Sequence, residues 1–437
     1  MRRGAEQPPF EAVVVDLAHD GRGVAKVEGK TVFIDDALPG ERVLARPTRR
    51  RRSHDEALLE KVIEASPDRV GPRCPHFGVC GGCSLQHMSA PGQLVAKEKH
   101  LFEALERIGR VSPETRFPAL DGPAWGYRRR ARLGARKVDK KGRVLVGFRE
   151  RHAPYLADMD SCEILAGGVG EALGPLAGLI GSLSVARRVP QVELAVGEDR
   201  RVLVFRVLDP LTADDALKLA RFGDEQGFEI WLQTGGPDTV RPLEGEPRPL
   251  HYRLPEFDVG IDFMPTDFVQ VNARMNEMAV ARAVELLDPA TGDRVLDLFS
   301  GLGNFSLALA RRGASVTGVE GDAGLVERAR ENAANNGLDV EYHVANLFED
   351  CTALPWARAG WDRLLLDPPR AGAETVCGMV DRLGPSRVVY VSCHPATLAR
   401  DAGILVHEQG FTCKGAGVMD MFPHTTHVES IAVFDRR

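Results

Sequence analysis

The stretch that most restricts what this chain can fold into lies at residues 294–320. An apolar run, Arg294-Val295-Leu296-Asp297-Leu298-Phe299-Ser300, breaks into Gly301-Leu302-Gly303-Asn304, with helix-compatible sequence from about Phe305. A second apolar run, Ser315-Val316-Thr317-Gly318-Val319-Glu320, then ends in an acid 19 residues after Gly301. Strand, glycine loop, helix, strand and acid in that order describe a parallel sheet with helical crossovers, a Rossmann-like α/β fold. Such sheets bind ligands outside the carboxyl ends of their strands. Glycines let the backbone approach a ligand closely, and Glu320 suits ribose hydroxyls. The pattern fits a dinucleotide or S-adenosylmethionine. Asn346, following a strand predicted over 340–345, is expected beside the adenine, and a helix predicted over 275–287 leads into this region.

Two later runs belong to the same sheet. Leu364-Leu365-Leu366 ends in Asp367-Pro368-Pro369-Arg370, and Val388-Val389-Tyr390-Val391 ends in Ser392-Cys393-His394-Pro395. Short apolar runs closed by polar residues and proline read as buried parallel strands. Asp367 and Cys393 should therefore face one cleft. Position alone leaves two roles open for Cys393, a nucleophile or a small buried apolar group.

A chain of 437 residues has room for about three domains. Its net charge of −6 means that any nucleic-acid contact must come from local basic patches. Met1–Glu6 lacks the apolar centre of a signal peptide. The longest uncharged stretch, 172–186, is too short and too rich in glycine and proline to span a membrane. A cytoplasmic protein with no membrane partner is expected, whose eight cysteines serve as thiols, metal ligands or catalytic groups rather than disulfides.

Residues 1–65 hold short strands separated by turns, which predicts a small barrel. The Gly21-Arg22-Gly23-Val24-Ala25, Val32-Phe33-Ile34-Asp35 and Leu38-Pro39-Gly40-Glu41 motifs resemble a TRAM domain, an OB-like RNA-binding module. Arg46 and Arg49–Arg52 follow, able to engage phosphate. Residues 66–265 read as a central α+β domain. It opens with Cys74, Cys80 and Cys83 at C-x5-C-x2-C spacing, a thiol set suited to zinc or an iron–sulfur cluster. Cys162 is the best fourth ligand and His87 the nearer alternative. Ser89 can cap a helix to about Ile108, with Leu94, Leu101, Leu105 and Ile108 on one face and Phe102 beside it. This helix, 89–109, is expected against the C-terminal domain. Between Tyr127 and Arg151 stand eleven Lys or Arg and two acids, with Tyr127 and Phe148 among them. Such a basic hairpin with aromatics suits looped or single-stranded nucleic acid.

The chain resembles the RNA uracil-5-methyltransferase family, and within it the branch acting on 23S ribosomal RNA. The resemblance rests on Asp267-Phe268-Val269-Gln270-Val271-Asn272, Asp297–Phe305, Leu366–Arg370, Ser392–Asp401 and Asp420–Glu429, and covers nearly the whole chain. It implies an S-adenosylmethionine-dependent methyltransferase domain at 266–437. Cys393 would be the nucleophile that adds to uracil C6, and Glu429 the base that removes the C5 proton, with His424 and His427 as competing bases. The donor would be held by Gln270, Phe299, Asn304, Glu320, Asn346 and Asp367, and Asp367 could also touch the uracil. Cys74, Cys80, Cys83 and Cys162 would hold a [4Fe–4S] cluster in preference to zinc, and the cluster is expected to organise the RNA-binding face. The implied partner is ribosomal RNA, bound by a monomer. His394 departs from the asparagine usual in relatives, which puts the hydrogen bonding of the nucleophile loop in question. Alternatives are an enzyme acting on transfer RNA or another ribosomal uridine, a non-catalytic iron–sulfur RNA-binding protein, and a nicotinamide dehydrogenase. The N-terminal half argues for ribosomal over transfer RNA, and Asp-Pro-Pro has no job in a dehydrogenase.

Overall fold

Strands β1 (Phe10–Leu17), β2 (Gly23–Val27), β3 (Lys30–Asp35), β4 (Arg42–Arg50) and β5 (His54–Glu64) close into a barrel in the order β1-β2-β3-β5-β4. The computed structural model describes residues 8–437, so the charged start at Met1–Glu6 lies outside the described residues. Alternation puts Val14, Ala25, Val32, Ile34, Val43, Ala45 and Ala57 inside the barrel, and the alanines suit a bore this narrow. Of the basic cluster, Arg46 pairs with Glu60 and Arg51 lies 3.7 Å from Glu56, while Arg49, Arg50 and Arg52 are exposed.

Helix α1 (Ala90–Ala104) starts at Ser89, whose hydroxyl accepts from Gly92 N at 3.1 Å, a cap worth about 1 kcal/mol. Leu101, Phe102 and Leu105 are buried among residues of the C-terminal sheet and its helices. The uniform apolar face predicted to Ile108 is not what forms. The α-helix ends at Ala104 and residues 105–109 wind as one π-helical turn, which rotates Ile108 outward to 53% exposure. Gly109 takes the inner position, where a Cβ would lie 2.3 Å from the carbonyl oxygen of Ala399. The backbones meet too closely there for any side chain.

After the short strand β6 (Thr115–Arg116), the central sheet comprises β7 (Arg130–Val138), β8 (Arg143–Gly147), β9 (Gln191–Val196), β10 (Arg201–Arg206), β11 (Glu229–Gln233) and β12 (Val240–Pro242), in the order β12-β11-β10-β9-β7-β8. Helix α2 (Leu173–Ser182) lies within the uncharged stretch and buries Leu173, Leu176 and Ile180 in the domain core. Among the described residues, no helix is long and apolar enough to cross a membrane. Helix α3 (Ala213–Gln226) connects β10 to β11 in parallel and begins with a capping box between Thr212 and Asp215. The basic hairpin forms as β7 and β8, with Arg132, Arg136, Lys140, Lys141, Arg143 and Arg149 exposed, while Arg129 and both aromatics turn inward. Arg129 is buried, stacks 4.4 Å over the Tyr252 ring and donates to the carbonyl of Gln270. Arg151 pairs with Asp36 of the barrel, and Arg143 and Lys141 share Asp158. Tyr127 is buried and Phe148 half-buried. A count of charges along the chain cannot separate residues facing RNA from those that seam layers together.

A hairpin of β13 (Leu250–Leu254) and β14 (Val259–Phe263) packs on the last domain. That domain runs through α4 (Ala273–Leu287), β15 (Arg294–Leu298), α5 (Ser306–Arg311), β16 (Ser315–Glu320), α6 (Ala323–Asn335), β17 (Val340–Val344), β18 (Arg363–Leu366), α7 (Glu374–Cys377), α8 (Val380–Leu383), β19 (Arg387–Ser392), α9 (Pro395–His407), β20 (Phe411–Met419) and β21 (Glu429–Arg436). Its sheet has the order β17-β16-β15-β18-β19-β21-β20-β6. Strands β15 to β19 are mutually parallel, and β21 runs antiparallel to β19. The order reverses between β15 and β18, which places a ligand crevice at their carboxyl ends. Strand β6 completes the sheet at its far edge by pairing with β20, so residues 90–120 pack with the C-terminal domain although they precede the central sheet.

Candidate active site

Neighbouring strands deliver the central groups of the crevice. In β15 and β18, Leu298 pairs with Leu366, so the glycine loop and Asp367 leave the sheet at one level. In β18 and β19, Leu366 pairs with Tyr390, which puts Cys393 a few residues further along the next strand. In β19 and β21, Ser392 pairs with Ser430, so Cys393 and Glu429 are the next facing positions. The register thus gathers Asp367, Cys393 and Glu429 beside the glycine loop.

The glycine loop is held in an uncommon conformation. Phe299, with φ +64°, and Gly301 and Gly303, with φ +55° and +90°, all lie in the left-handed region. For a phenylalanine this costs on the order of 1 kcal/mol or more and persists only where the surroundings fix it. Glu320 supplies part of that fixation by accepting from Gly301 N at 3.1 Å, and also from Gly321 N and Asp322 N. Behind the loop, Asp297 is fully buried and accepts from Ser306. Burial, with Glu320 nearby, pushes its carboxyl up to about 7. Asn304 commits its carbonyl oxygen and one amide N–H to structure. Its oxygen accepts from Tyr252 Oη and Asn276 Nδ2, and its own amide donates to Asn276. It thereby braces the loop against the β13–β14 hairpin and keeps one amide N–H unbonded. Gln270 is half-buried and makes no side-chain hydrogen bond to the described residues, so its amide remains available. Asn346 is exposed at the end of β17 and bonds Glu349. Phe348, passed over in the sequence, stands 5.8 Å from the Phe299 ring and is half exposed. An aromatic two residues beyond a strand-end asparagine was the available signal.

The reacting groups are electrostatically coupled. Burial pushes the Cys393 thiol up to about 11, helped by Glu429 and Asp367 and opposed by Arg370. Burial, with Asp297 nearby, raises Asp367 to about 7. Glu429 is 3% exposed and held well above the usual carboxylate range by burial and by Asp367. A carboxylate so destabilised is a strong proton acceptor once ionised. His394 resolves the question raised by its departure from asparagine. It is the N-cap of α9, with Nδ1 accepting from Thr397 N at 3.4 Å. Histidine Nδ1 stands two bonds from Cβ, as asparagine Oδ1 does, so the cap survives the replacement. The nucleophile loop is tied further by Ser392 Oγ to His394 N and by Ser430 Oγ to the Ser392 carbonyl. Of the competing bases, His424 is buried against Trp125 with ring centroids 4.0 Å apart, and burial lowers its pKa to about 4. His427 is exposed.

A second constellation lies away from the cleft. Cys74, Cys80, Cys83 and Cys162 line one small pocket together with Phe77, Phe148 and Met159. His87 is absent from that lining and faces Phe77 and the barrel, which leaves Cys162 as the fourth thiol. Burial raises Cys80, Cys83 (to about 12) and Cys162 (to about 11), and neighbouring thiols add to each shift. No three His, Cys, Asp or Glu groups among the described residues converge on one metal-ion position. The donor set nevertheless fits a thiophilic centre, because four thiols share one pocket that no Lys or Arg lines, and burial makes Cys80, Cys83 and Cys162 costly to ionise unless a metal compensates them.

Three families match parts of the chain: TRAM domain over 10–51, Methyltransferase domain over 295–366, and tRNA (Uracil-5-)-methyltransferase over 348–437. The chain is 52% identical to the 23S rRNA (uracil(1939)-C(5))-methyltransferase RlmD of Xanthomonas axonopodis pv. citri, with 100% of this chain and 99% of the relative aligned. It is 51% identical, at the same coverage, to the RlmD of Stenotrophomonas maltophilia strain K279a. Among solved structures, the Pyrococcus abyssi tRNA (uracil-54, C5)-methyltransferase in complex with S-adenosyl-L-homocysteine superposes with a TM-score of 0.75 at 26% identity, covering 97% of this chain and 99% of that one. A transfer-RNA enzyme thus matches both halves of the chain, so the N-terminal half does not by itself point to ribosomal RNA.

Proposed function

The chain belongs to the family of 23S rRNA (uracil(1939)-C(5))-methyltransferases, and from that membership we propose that it methylates C5 of the corresponding uridine in 23S ribosomal RNA through a covalent Cys393 adduct. The observation that carries the reading is the gathering of Asp367, Cys393 and Glu429 at adjacent strand ends beside the glycine loop. Uracil C5 is a weak nucleophile. Addition of the Cys393 thiolate at C6 turns the ring into an enolate and makes C5 reactive. S-adenosylmethionine supplies an electrophilic sulfonium methyl when bound. Glu429 then takes the C5 proton, the C6–S bond breaks, and the thiolate returns. Asp367 bonds the uracil edge and the donor, Arg370 eases formation of the thiolate, and the target base leaves its stack to reach Cys393.

Glu320 takes the donor ribose, and Phe299 with Phe348 and Asn346 flanks the adenine. Gln270 contributes its amide, while Asn304 acts by bracing the loop. The four cysteines hold a [4Fe–4S] cluster, which organises structure and takes no part in methyl transfer. Iron and sulfide analysis with visible absorbance of anaerobically purified protein tests this, and bound zinc would overturn it. The protein acts as a monomer in the cytoplasm, reading RNA through the barrel and its exposed Arg49, Arg50 and Arg52.

The test is incubation with methyl-labelled S-adenosylmethionine and 23S ribosomal RNA, followed by mapping of the product. Label at a single uridine C5 is expected. Equal labelling of transfer RNA would favour the second reading, which the extended match to the transfer-RNA enzyme makes specific.

A further inference from the structure

Residues 420–428 lead directly into Glu429, and buried polar groups from the N-terminal half grip them. His424 carries φ +66°, a backbone state that a histidine keeps only when its surroundings impose it. Its carbonyl accepts from both Ser84 N and Leu85 N at 2.9 Å, the two residues that follow Cys83. Its own N–H donates to Gln93 Oε1 at 2.8 Å. The same Gln93 amide donates to the carbonyls of Leu85 and Met88, so one side chain fastens the loop to the segment beyond Cys83. One helical turn later, Lys97 donates to Asp420 at 2.5 Å and to the Phe422 carbonyl at 3.0 Å. Tyr127 Oη donates to the Pro423 carbonyl at 3.2 Å, and Trp125 lies against the His424 ring. Gln93 and Lys97 are each 2% exposed. A lysine and an amide are rarely buried this deeply without a structural task. Both sit on the α1 face whose apolar residues pack on the catalytic sheet, where an apolar side chain would otherwise be expected.

We propose that the Cys83–Met88 segment and the Gln93–Lys97 face of α1 form a clamp that sets the position of Glu429, so that the thiol pocket serves proton removal from C5 rather than RNA capture. This rests on the methyl-transfer reading above. Gln93, Lys97 and Ser84 are positioning residues that act through the 420–428 loop. The pocket is joined by the Cys83–Ser84 peptide bond to the residues that hydrogen-bond the loop, and the Cys74 amide donates to Gln86 within the same segment.

The uracil chemistry separates this role from others. With 5-fluorouridine in the RNA, C5 carries no proton for a base to remove, so adduct formation and methyl transfer proceed and the complex remains covalent. Turnover on uridine needs Glu429 in place, whereas trapping on 5-fluorouridine does not. In Gln93→Leu, turnover on uridine RNA is expected to fall about 10-fold or more, as a displaced catalytic group would cause. The trapping rate and RNA Kd should stay within about 2-fold of the parent. Amide hydrogen exchange over 420–428 should rise in Gln93→Leu and also in Cys83→Ser. If Gln93→Leu does not fold, Tyr127→Phe, which removes only the Pro423 contact, should show the same split at about 3-fold. Unchanged turnover, an equal loss of RNA affinity, or unchanged exchange of the loop in Cys83→Ser would overturn the clamp. Absence of any trapped adduct with the parent protein would instead overturn the methyl-transfer reading beneath it.

Discussion

The cleft and the cysteine pocket both bury thiols, and in both burial lifts thiol pKa values far above their ordinary range. They differ in what surrounds the sulfur. Cys393 has two carboxyls and a guanidinium for neighbours and keeps an open side. The pocket thiols have chiefly one another, with Phe77, Phe148 and Met159 around them and His76, Gln86 and Glu163 also in the lining. Groups of different proton affinity placed together can pass a proton, while like groups placed together call for a shared cation. The supports differ as well. The cleft is built on adjacent strands of one sheet, whereas Cys74, Cys80, Cys83 and Cys162 all lie in loops.

Cys393→Ala should reduce uridine methylation to background in a labelled-methyl assay while the melting temperature stays near the parent's. Unfolding would put Cys393 in the structural class with the pocket thiols. Glu429→Gln should lower turnover by roughly 10²–10⁴-fold. Because Cys393 and Glu429 must both lose protons to act, and both are held above their ordinary range, kcat/KM of the parent should rise with pH. A flat profile would break the proposed coupling. Cys162→Ser should do the opposite of Cys393→Ala, with loss of visible absorbance and stability reduced by on the order of several kcal/mol in denaturant titrations.

Within the cleft, two further groups carry smaller effects. Asp297 is lifted from 3.8 to about 7, so its neutral form stabilises the fold. That contribution is complete below the unfolded pKa and is lost as pH rises through about 7. Asp297→Asn, which keeps the acceptor for Ser306, should therefore gain roughly 2–4 kcal/mol at pH 8 and little at pH 4, read as a difference in melting temperature. His394 is depressed by burial and by Arg370, so its cap is present above the unfolded histidine pKa and is lost as pH falls through the lower folded value. His394→Ala should cost about 1 kcal/mol at neutral pH, and His394→Asn close to nothing.

The sheet, its glycine loop and the convergence of Asp367 with Cys393 were legible in the sequence because each is a local pattern. An apolar run ends, and topology places its end at the crevice. Cys162 was legible only as the best of two candidates for a fourth ligand beside His87, because its place next to the other three thiols depends on the fold. What stayed hidden depends on partners distant in sequence. Arg129 and Tyr127 read as RNA-facing until Gln270, Tyr252 and Pro423 occupy them. Ile108 read as core until the π-helical turn rotates it out. Lys97 and Gln93 interrupt the apolar face of α1 for a reason that only Asp420 and His424 supply. His394 stood out as a departure, but its equivalence to asparagine is a matter of atom position, visible once α9 is drawn.

The pairing of β6 with β20 has a consequence for how the chain is made. Its partners lie 300 residues apart, as the neighbouring Glu114–Lys414 contact illustrates. At about 5–20 residues per second, roughly 15–60 s of synthesis separates the two. During that interval the nascent chain carries Leu101 of α1 and Leu105 of the following turn uncovered and β6 without a neighbour. The barrel and central sheet can close on the ribosome, but residues 90–116 gain their partners only when the C-terminal strands have been made.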